Sequence, residues 1–159
     1  MSSVAEPQPS LELSRRFDAS PERVFDAWLG KEWGEWLPPG GSRCRVTLIE
    51  PHVGGSYHVQ MSMADGRNIE ISGEYREVMR PTKLVFTWRG HYNDQQTLIT
   101  LFFRPDGDGT VMTLRQEGFG SAQMRDGYGN GWNGTNGSFA KLDAILARES
   151  GAATARARG

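Results

Sequence analysis

Leu11, Leu13, Arg15 and Phe17 alternate with Glu12, Ser14 and Arg16, a period of two that predicts a β-strand with one apolar face. Ser20-Pro21-Glu22-Arg23 then has the chemistry of a helix start. Ser20 can cap free backbone N–H groups, the ring of Pro21 suits the first helical position, and Glu22 favours the positive end of the helix dipole. Val24, Phe25, Trp28 and Leu29 fall on one face of that helix. A second short helical turn holds Trp33, Trp36 and Leu37 and ends at Pro38-Pro39-Gly40-Gly41.

From Arg43 to Gly118 the pattern is nearly all strand. Strands are predicted over Arg43–Glu50, Ser56–Met63, Asn68–Val78, Lys83–Arg89, Gln96–Arg104 and Thr110–Glu117. Between them lie turn signals at Pro51–Gly55, Ala64-Asp65-Gly66, Met79–Thr82 and Asp106–Gly109, and a loop at Gly90–Asp94. Turns this short favour an antiparallel meander.

Ser121–Arg148 predicts a long C-terminal helix, because Met124, Tyr128, Trp132, Thr135, Phe139, Leu142 and Leu146 step by three or four. Yet Gly127, Gly129, Gly131, Gly134 and Gly137 lie in its first half. Each costs about 1 kcal/mol relative to Ala in a helix interior. The first half is therefore expected to kink or fray, and the half from Ser138 to be the firmer helix. One apolar helix beside an antiparallel sheet is an α+β layer solution. Each glycine removes a side chain, which either opens a cavity or permits tight helix–sheet contact.

Composition narrows the partners. The 159 residues carry 18 Lys+Arg and 19 Asp+Glu, so no basic excess marks a nucleic-acid partner. The length suits one domain over residues 11–149, with a disordered leader at 1–10 and a flexible tail at 150–159. The apolar run Leu98–Phe103 is too short to span a membrane, and no secretory signal is visible. The single cysteine, Cys44, excludes an intrachain disulfide and a multi-cysteine metal site. A cytoplasmic protein, monomer or homodimer, is expected, with no cofactor and no metal.

The residues Phe17-Asp18-Ala19-Ser20-Pro21-Glu22-Arg23-Val24-Phe25-Asp26-Ala27-Trp28 resemble the opening of the START-like (SRPBCC) superfamily. More closely they resemble bacterial homologues of the activator of the ninety-kilodalton heat-shock chaperone's ATPase. Further matches follow in order. They are Trp33 and Trp36-Leu37-Pro38, Gly54-Gly55-Ser56-Tyr57, Asp65-Gly66, Gly73–Val78, Arg80–Trp88, Asp108-Gly109-Thr110 with Leu114, Glu117-Gly118-Phe119, and Gly131-Trp132-Asn133. The resemblance spans about residues 11–148. It implies a helix-grip (START/Bet v 1-like) fold: a curved antiparallel sheet of about seven strands wrapped on a long C-terminal helix, with two short helices after the first strand. It also implies an internal cavity, but not one function, because the superfamily holds lipid carriers, hormone receptors and cyclases. One departure stands out. Gly134-Thr135-Asn136-Gly137 adds what looks like three residues before Ser138-Phe139, absorbed either as nearly one helical turn or as a local bulge.

Candidate chemistry is sparse. Gly129-Asn130-Gly131-Trp132-Asn133-Gly134 matches a dinucleotide-binding string but lacks its βαβ context. Asn133-Gly134-Thr135 and Asn136-Gly137-Ser138 match glycosylation strings, idle without secretion. His52, His58 and His91 are not spaced as metal ligands, and no nucleophile elbow is present. Arg15 shares parity with inward residues, so it wants a carboxylate such as Glu77 or a ligand anion. Strand parity and the helical stripe together predict a ligand cavity lined by Tyr57, Val59, Met61, Tyr75, Phe86, Trp88, Met112, Tyr128 and Trp132. Thr135 or Asn136 lies between Trp132 and Phe139, either meeting a ligand's polar group as part of a gate or sitting in water on a surface bulge. Phe25, Trp28, Leu142 and Leu146 are expected to be core.

Three functions follow. The first is binding of a small apolar or amphipathic molecule in the cavity. The second, implied only by the resemblance, is a chaperone-linked interaction and stress response. The third is a cyclase- or hydrolase-like enzyme using the same cavity.

Overall fold

The computed structural model describes residues 9–38, 40–91 and 95–158. Most of the expected leader, Pro39 and residues 92–94 of the Gly90–Asp94 loop lie outside the described residues. In chain order the elements are β1 (Ser10–Phe17), α1 (Pro21–Asp26), α2 (Trp33–Trp36), β2 (Arg43–Ile49), β3 (Ser56–Ser62), β4 (Asn68–Met79), β5 (Lys83–Gly90), β6 (Gln95–Asp106), β7 (Gly109–Glu117), α3 (Ala122–Asn133) and α4 (Ser138–Arg158).

The seven strands form one sheet in the order β1-β7-β6-β5-β4-β3-β2, and every neighbouring pair is antiparallel. β2 to β7 are therefore the expected meander, and β1 returns beside β7 with Leu13 opposite Leu114. α1 starts where the sequence places its start: the Ser20 side chain accepts the Arg23 backbone N–H, and Pro21 stands in the first turn. It is short, and Trp28 packs into the core from the residues after it.

The C-terminal region corrects the expectation of one helix over 121–148. α3 ends at Asn133, residues 134–137 form a turn, and α4 begins at Ser138. The break is fastened. The Ser138 hydroxyl donates to the Leu37 carbonyl and lies 3.2 Å from the Gly131 carbonyl oxygen, Gly40 N–H donates to the Asn136 carbonyl at 2.7 Å, and Lys141 Nζ donates to the Pro38 carbonyl. A Cβ on Gly137 would stand 2.8 Å from the Gly131 carbonyl oxygen, so the turn closes against α3 only with glycine there. α4 continues to Arg158 through residues the sequence reads as a tail. Alanine and arginine, which dominate that stretch, are strong helix formers.

The core is an aromatic cluster between sheet and helices. Trp28 is its hub, with ring centroids 4.7 Å from Trp36, 6.0 Å from Phe86, 5.7 Å from Trp132 and 6.2 Å from Phe139. Leu142 and Leu146 of α4 are buried against it, together with Phe25. On the sheet, Tyr57 faces Gly73 across the β3–β4 ladder, and its hydroxyl donates to the Thr87 carbonyl on β5. A Cβ on Gly73 would fall 2.6 Å from the Tyr57 ring and 1.9 Å from the Thr87 carbonyl oxygen. Gly73 is thus the gap that lets a tyrosine reach across one strand to the next.

Candidate functional site

An open recess of about 290 Å³ lies between the sheet and α3. Met61, Met63, Ile69 and Ile71 of the β3–β4 hairpin form one wall, with Arg67 beside them. Met124, Gly127, Tyr128, Gly131 and Trp132 form the wall from α3. Trp88 of β5, Leu37 and Ser138 complete it. The hairpin supplies apolar residues because alternate positions of a strand share a face. The α3 residues converge because three- and four-residue steps return to one side of a helix.

The glycines of α3 divide between both uses that the sequence leaves open. A Cβ on Gly127 or Gly131 would meet no atom within 4 Å, and both glycines border the recess. A Cβ on Gly129 would come 3.3 Å from Leu11 Cδ1, so that glycine serves close contact with β1 instead. The recess owes its width to two missing side chains one turn apart.

Its two large rings are held in place. Trp88 Nε1 donates to the Tyr128 hydroxyl at 3.0 Å. Trp132 Nε1 donates to Gln116 Oε1 at 3.0 Å, Gln116 Nε2 donates to the Thr97 hydroxyl at 2.9 Å, and that hydroxyl donates to the Trp88 carbonyl at 3.2 Å. Gln116 is fully buried, and the relay satisfies its amide at both ends. Sequence reasoning missed Gln116. The signal was present, since Gln116 shares strand parity with Met112 and Leu114 and must point inward with them.

The expected lining residues separate into three groups. Met61, Trp88, Tyr128 and Trp132 border the recess. Tyr57, Val59, Tyr75, Phe86 and Met112 are buried in the core cluster behind it. Phe86, for example, is surrounded by Trp28, Trp33, Tyr57 and Tyr75 at 5.7–6.1 Å. Thr135 and Asn136 are exposed in the turn between α3 and α4, which places them in water. Of the two placements the sequence left open this is the surface bulge, and the helical stripe could not choose between them because it runs through a break.

The expected pairing of Arg15 with Glu77 is corrected. Arg15 does face the helices, but it donates to Asn133 Oδ1 at 2.9 Å and to Asp143 Oδ2 at 2.8 Å, tying the end of α3 to α4. Glu77 pairs with Lys83 at 3.1 Å across the β4–β5 ladder. β1 is the edge strand beside β7 and β4 lies three strands further on, so shared parity could not bring the two residues together.

Burial sets the protonation of the groups near the recess. Cys44 stands opposite Met61 on β2, and burial pushes its thiol up to about 11. It stays a thiol at neutral pH and is a poor nucleophile. Burial also raises Tyr57 and Tyr75 well above the ordinary phenol value, so both keep their protons. Among the described residues, no group of three or more His, Cys, Asp or Glu is arranged to hold a metal ion, and no helix is long and apolar enough to cross a membrane.

A family profile described as "Activator of Hsp90 ATPase homolog 1-like protein" matches residues 18–147. A crystal structure from Chromobacterium violaceum superposes with a TM-score of 0.78 at 27% identity, covering 86% of this chain and 96% of that one. The AHSA1 protein of Silicibacter pomeroyi superposes with a TM-score of 0.76 at 27% identity, covering 89% and 99%. A protein of Rhodobacter sphaeroides gives 0.71 at 26% identity, covering 87% and 93%. No curated relative matches the chain. The seven-stranded helix-grip architecture and the profile over residues 18–147 agree, and the chain belongs to the Activator of Hsp90 ATPase homolog 1-like family of START-type proteins.

Proposed function

We propose that this protein binds a small, mostly apolar molecule in the recess under α3. The carrying observation is that Gly127 and Gly131 face open space where the sheet opposite offers Met61, Ile69, Ile71 and Trp88. A helix built only to cover a sheet would fill that space, since protein interiors close-pack. Methionines at the walls suit a binding surface, because the unbranched thioether adapts to irregular shapes. The fixed rings of Trp88 and Trp132, inclined at 63° to each other, give an apolar floor of set shape. A chaperone-linked role rests on the family's name, whereas the recess is built from this chain's own residues.

Native mass spectrometry of the purified protein tests the reading, with a co-purified molecule as the expected result. The Gly131→Leu variant should lose that molecule while keeping its fold, because the new side chain enters the recess. Retention of the same molecule by a folded Gly131→Leu protein would place the binding site elsewhere.

A further inference from the structure

The chain has five tryptophans, and three of their indole N–H groups are hydrogen-bonded: Trp36 to the Ala27 carbonyl, Trp88 to Tyr128, and Trp132 to Gln116. The other two, on Trp28 and Trp33, are buried and meet no hydrogen-bond partner among the described residues. The hydroxyl of Tyr75 is in the same condition. Leaving a buried donor unpaired is costly, and most folds avoid it.

These groups are not scattered. Trp33 lies 6.3 Å from Trp88, and Trp28 lies 5.7 Å from Trp132, by ring centroids. Trp88 and Trp132 border the recess, so each unpaired indole belongs to a ring that does not line the recess itself but contacts one that does. Leu37, another recess residue, follows Trp33 by one helical turn. Tyr75 joins the same cluster through Tyr57, at 5.7 Å.

Resting on the proposed binding function, we propose that the ligand carries a neutral hydrogen-bond acceptor at its buried end, taken by the indole N–H of Trp33 or Trp28. The chemistry restricts the group in two ways. An indole nitrogen donates and cannot accept, so the ligand must present an acceptor. The inner groups are two indoles and a phenol that keeps its proton, all neutral, so a carboxylate would be buried without a cation. A ketone, ester or ether oxygen on an apolar body meets both conditions. Reaching the indoles takes a displacement of Leu37, which leaves the Trp88–Tyr128 hydrogen bond in place, and the paired donor favours that displaced state over the closed one.

The test compares 2-acetonaphthone with 2-isopropylnaphthalene, which has nearly the same shape without the oxygen. Affinities are measured by calorimetry, and the five indole N–H resonances are followed by NMR. The ketone should bind about tenfold tighter than the hydrocarbon, the effect of one relieved donor. The Trp33 or Trp28 N–H resonance should move downfield with the ketone alone. Trp33→Phe, or Trp28→Phe if that resonance is the one that moves, should erase the ketone's advantage and leave hydrocarbon binding in place. Equal affinity of ketone and hydrocarbon would overturn the inference and leave the recess standing, with the donors held by ring faces or a resident water. Binding of neither naphthalene would overturn the recess reading and this inference together.

Discussion

α3 and α4 cover the same sheet and do opposite things to it. α4 fills its share: Phe139, Leu142 and Leu146 are buried, and Phe139 stacks on Trp132 at 5.6 Å. α3 leaves its share open, with Gly127 and Gly131 where α4 carries leucine or phenylalanine. The sheet does not dictate the difference, since β5 contributes Phe86 to the closed side and Trp88 to the open one. What decides it is the side-chain volume the helix brings. The closed half stabilises the fold, and the open half has exchanged packing for space.

If that contrast is right, substitutions on the two helices must have opposite signs. Leu142→Ala removes fully buried side-chain volume and should cost about 2–5 kcal/mol. Chemical denaturation reads this directly, and an unchanged midpoint would mean that α4 does not close the core. Gly73→Ala tests the closed side from the sheet. Its Cβ would overlap the Thr87 carbonyl and the Tyr57 ring, so a loss of about 1–3 kcal/mol is expected. Tyr57 should also lose its hydrogen bond to Thr87, visible as altered near-ultraviolet circular dichroism.

On α3 the expected sign reverses. Gly127→Ala or Gly131→Ala places a methyl group in open space within a helix, and each should stabilise by about 1 kcal/mol. Gly129→Ala, two residues away, should gain less, because its Cβ meets Leu11 at 3.3 Å. A denaturation series over the three glycines sharpens the contrast. Three equal gains would remove the distinction between glycine that opens space and glycine that permits contact.

The sheet was legible because period-two alternation and turn residues are local signals. Every predicted strand appears within two residues of its predicted ends, and Ser20-Pro21 starts α1 as its chemistry requires. The helix break was only partly legible: the glycines marked a weak first half and Ser138 the start of the firmer one, but not that a turn separates two helices. A stripe with three- and four-residue steps survives an insertion of about one turn, so it could not choose between an internal Thr135 and one in water on a bulge, which is where it lies. Parity identified which residues face inward, but not how deep each lies. Tyr57 and Phe86 face the same side as Met61 and Trp88, yet they pack in the core. Arg15 shows the same limit: facing was readable, while the partner depended on which helix crosses β1. Depth and partner are tertiary quantities, and only the assembled layers contain them.

The smallest expected effect concerns the charges that tether the closed half. Arg23 lies 2.7 Å from Glu149 of α4 and holds its carboxyl below the ordinary value through a side-chain hydrogen bond. Arg80 does the same to Asp26 at the end of α1. A carboxyl with a lower pKa folded than unfolded adds stability above its unfolded value, about 4 for both residue types. That contribution is lost as the pH falls through the lower folded value. Both carboxylates are about half exposed, and solvent screens such pairs, so the Arg23–Glu149 link should contribute roughly 0–1 kcal/mol. Urea midpoints should therefore fall slightly between about pH 5 and pH 3, and Glu149→Gln should flatten part of that slope. Added salt should shrink the difference between wild type and variant at neutral pH. A Glu149→Gln protein with an unaltered acid slope would show that the Arg23–Glu149 link adds nothing to the hold on α4, which then rests on its buried leucines and Phe139 and on its contacts to Arg15 and the Leu37-Pro38 carbonyls.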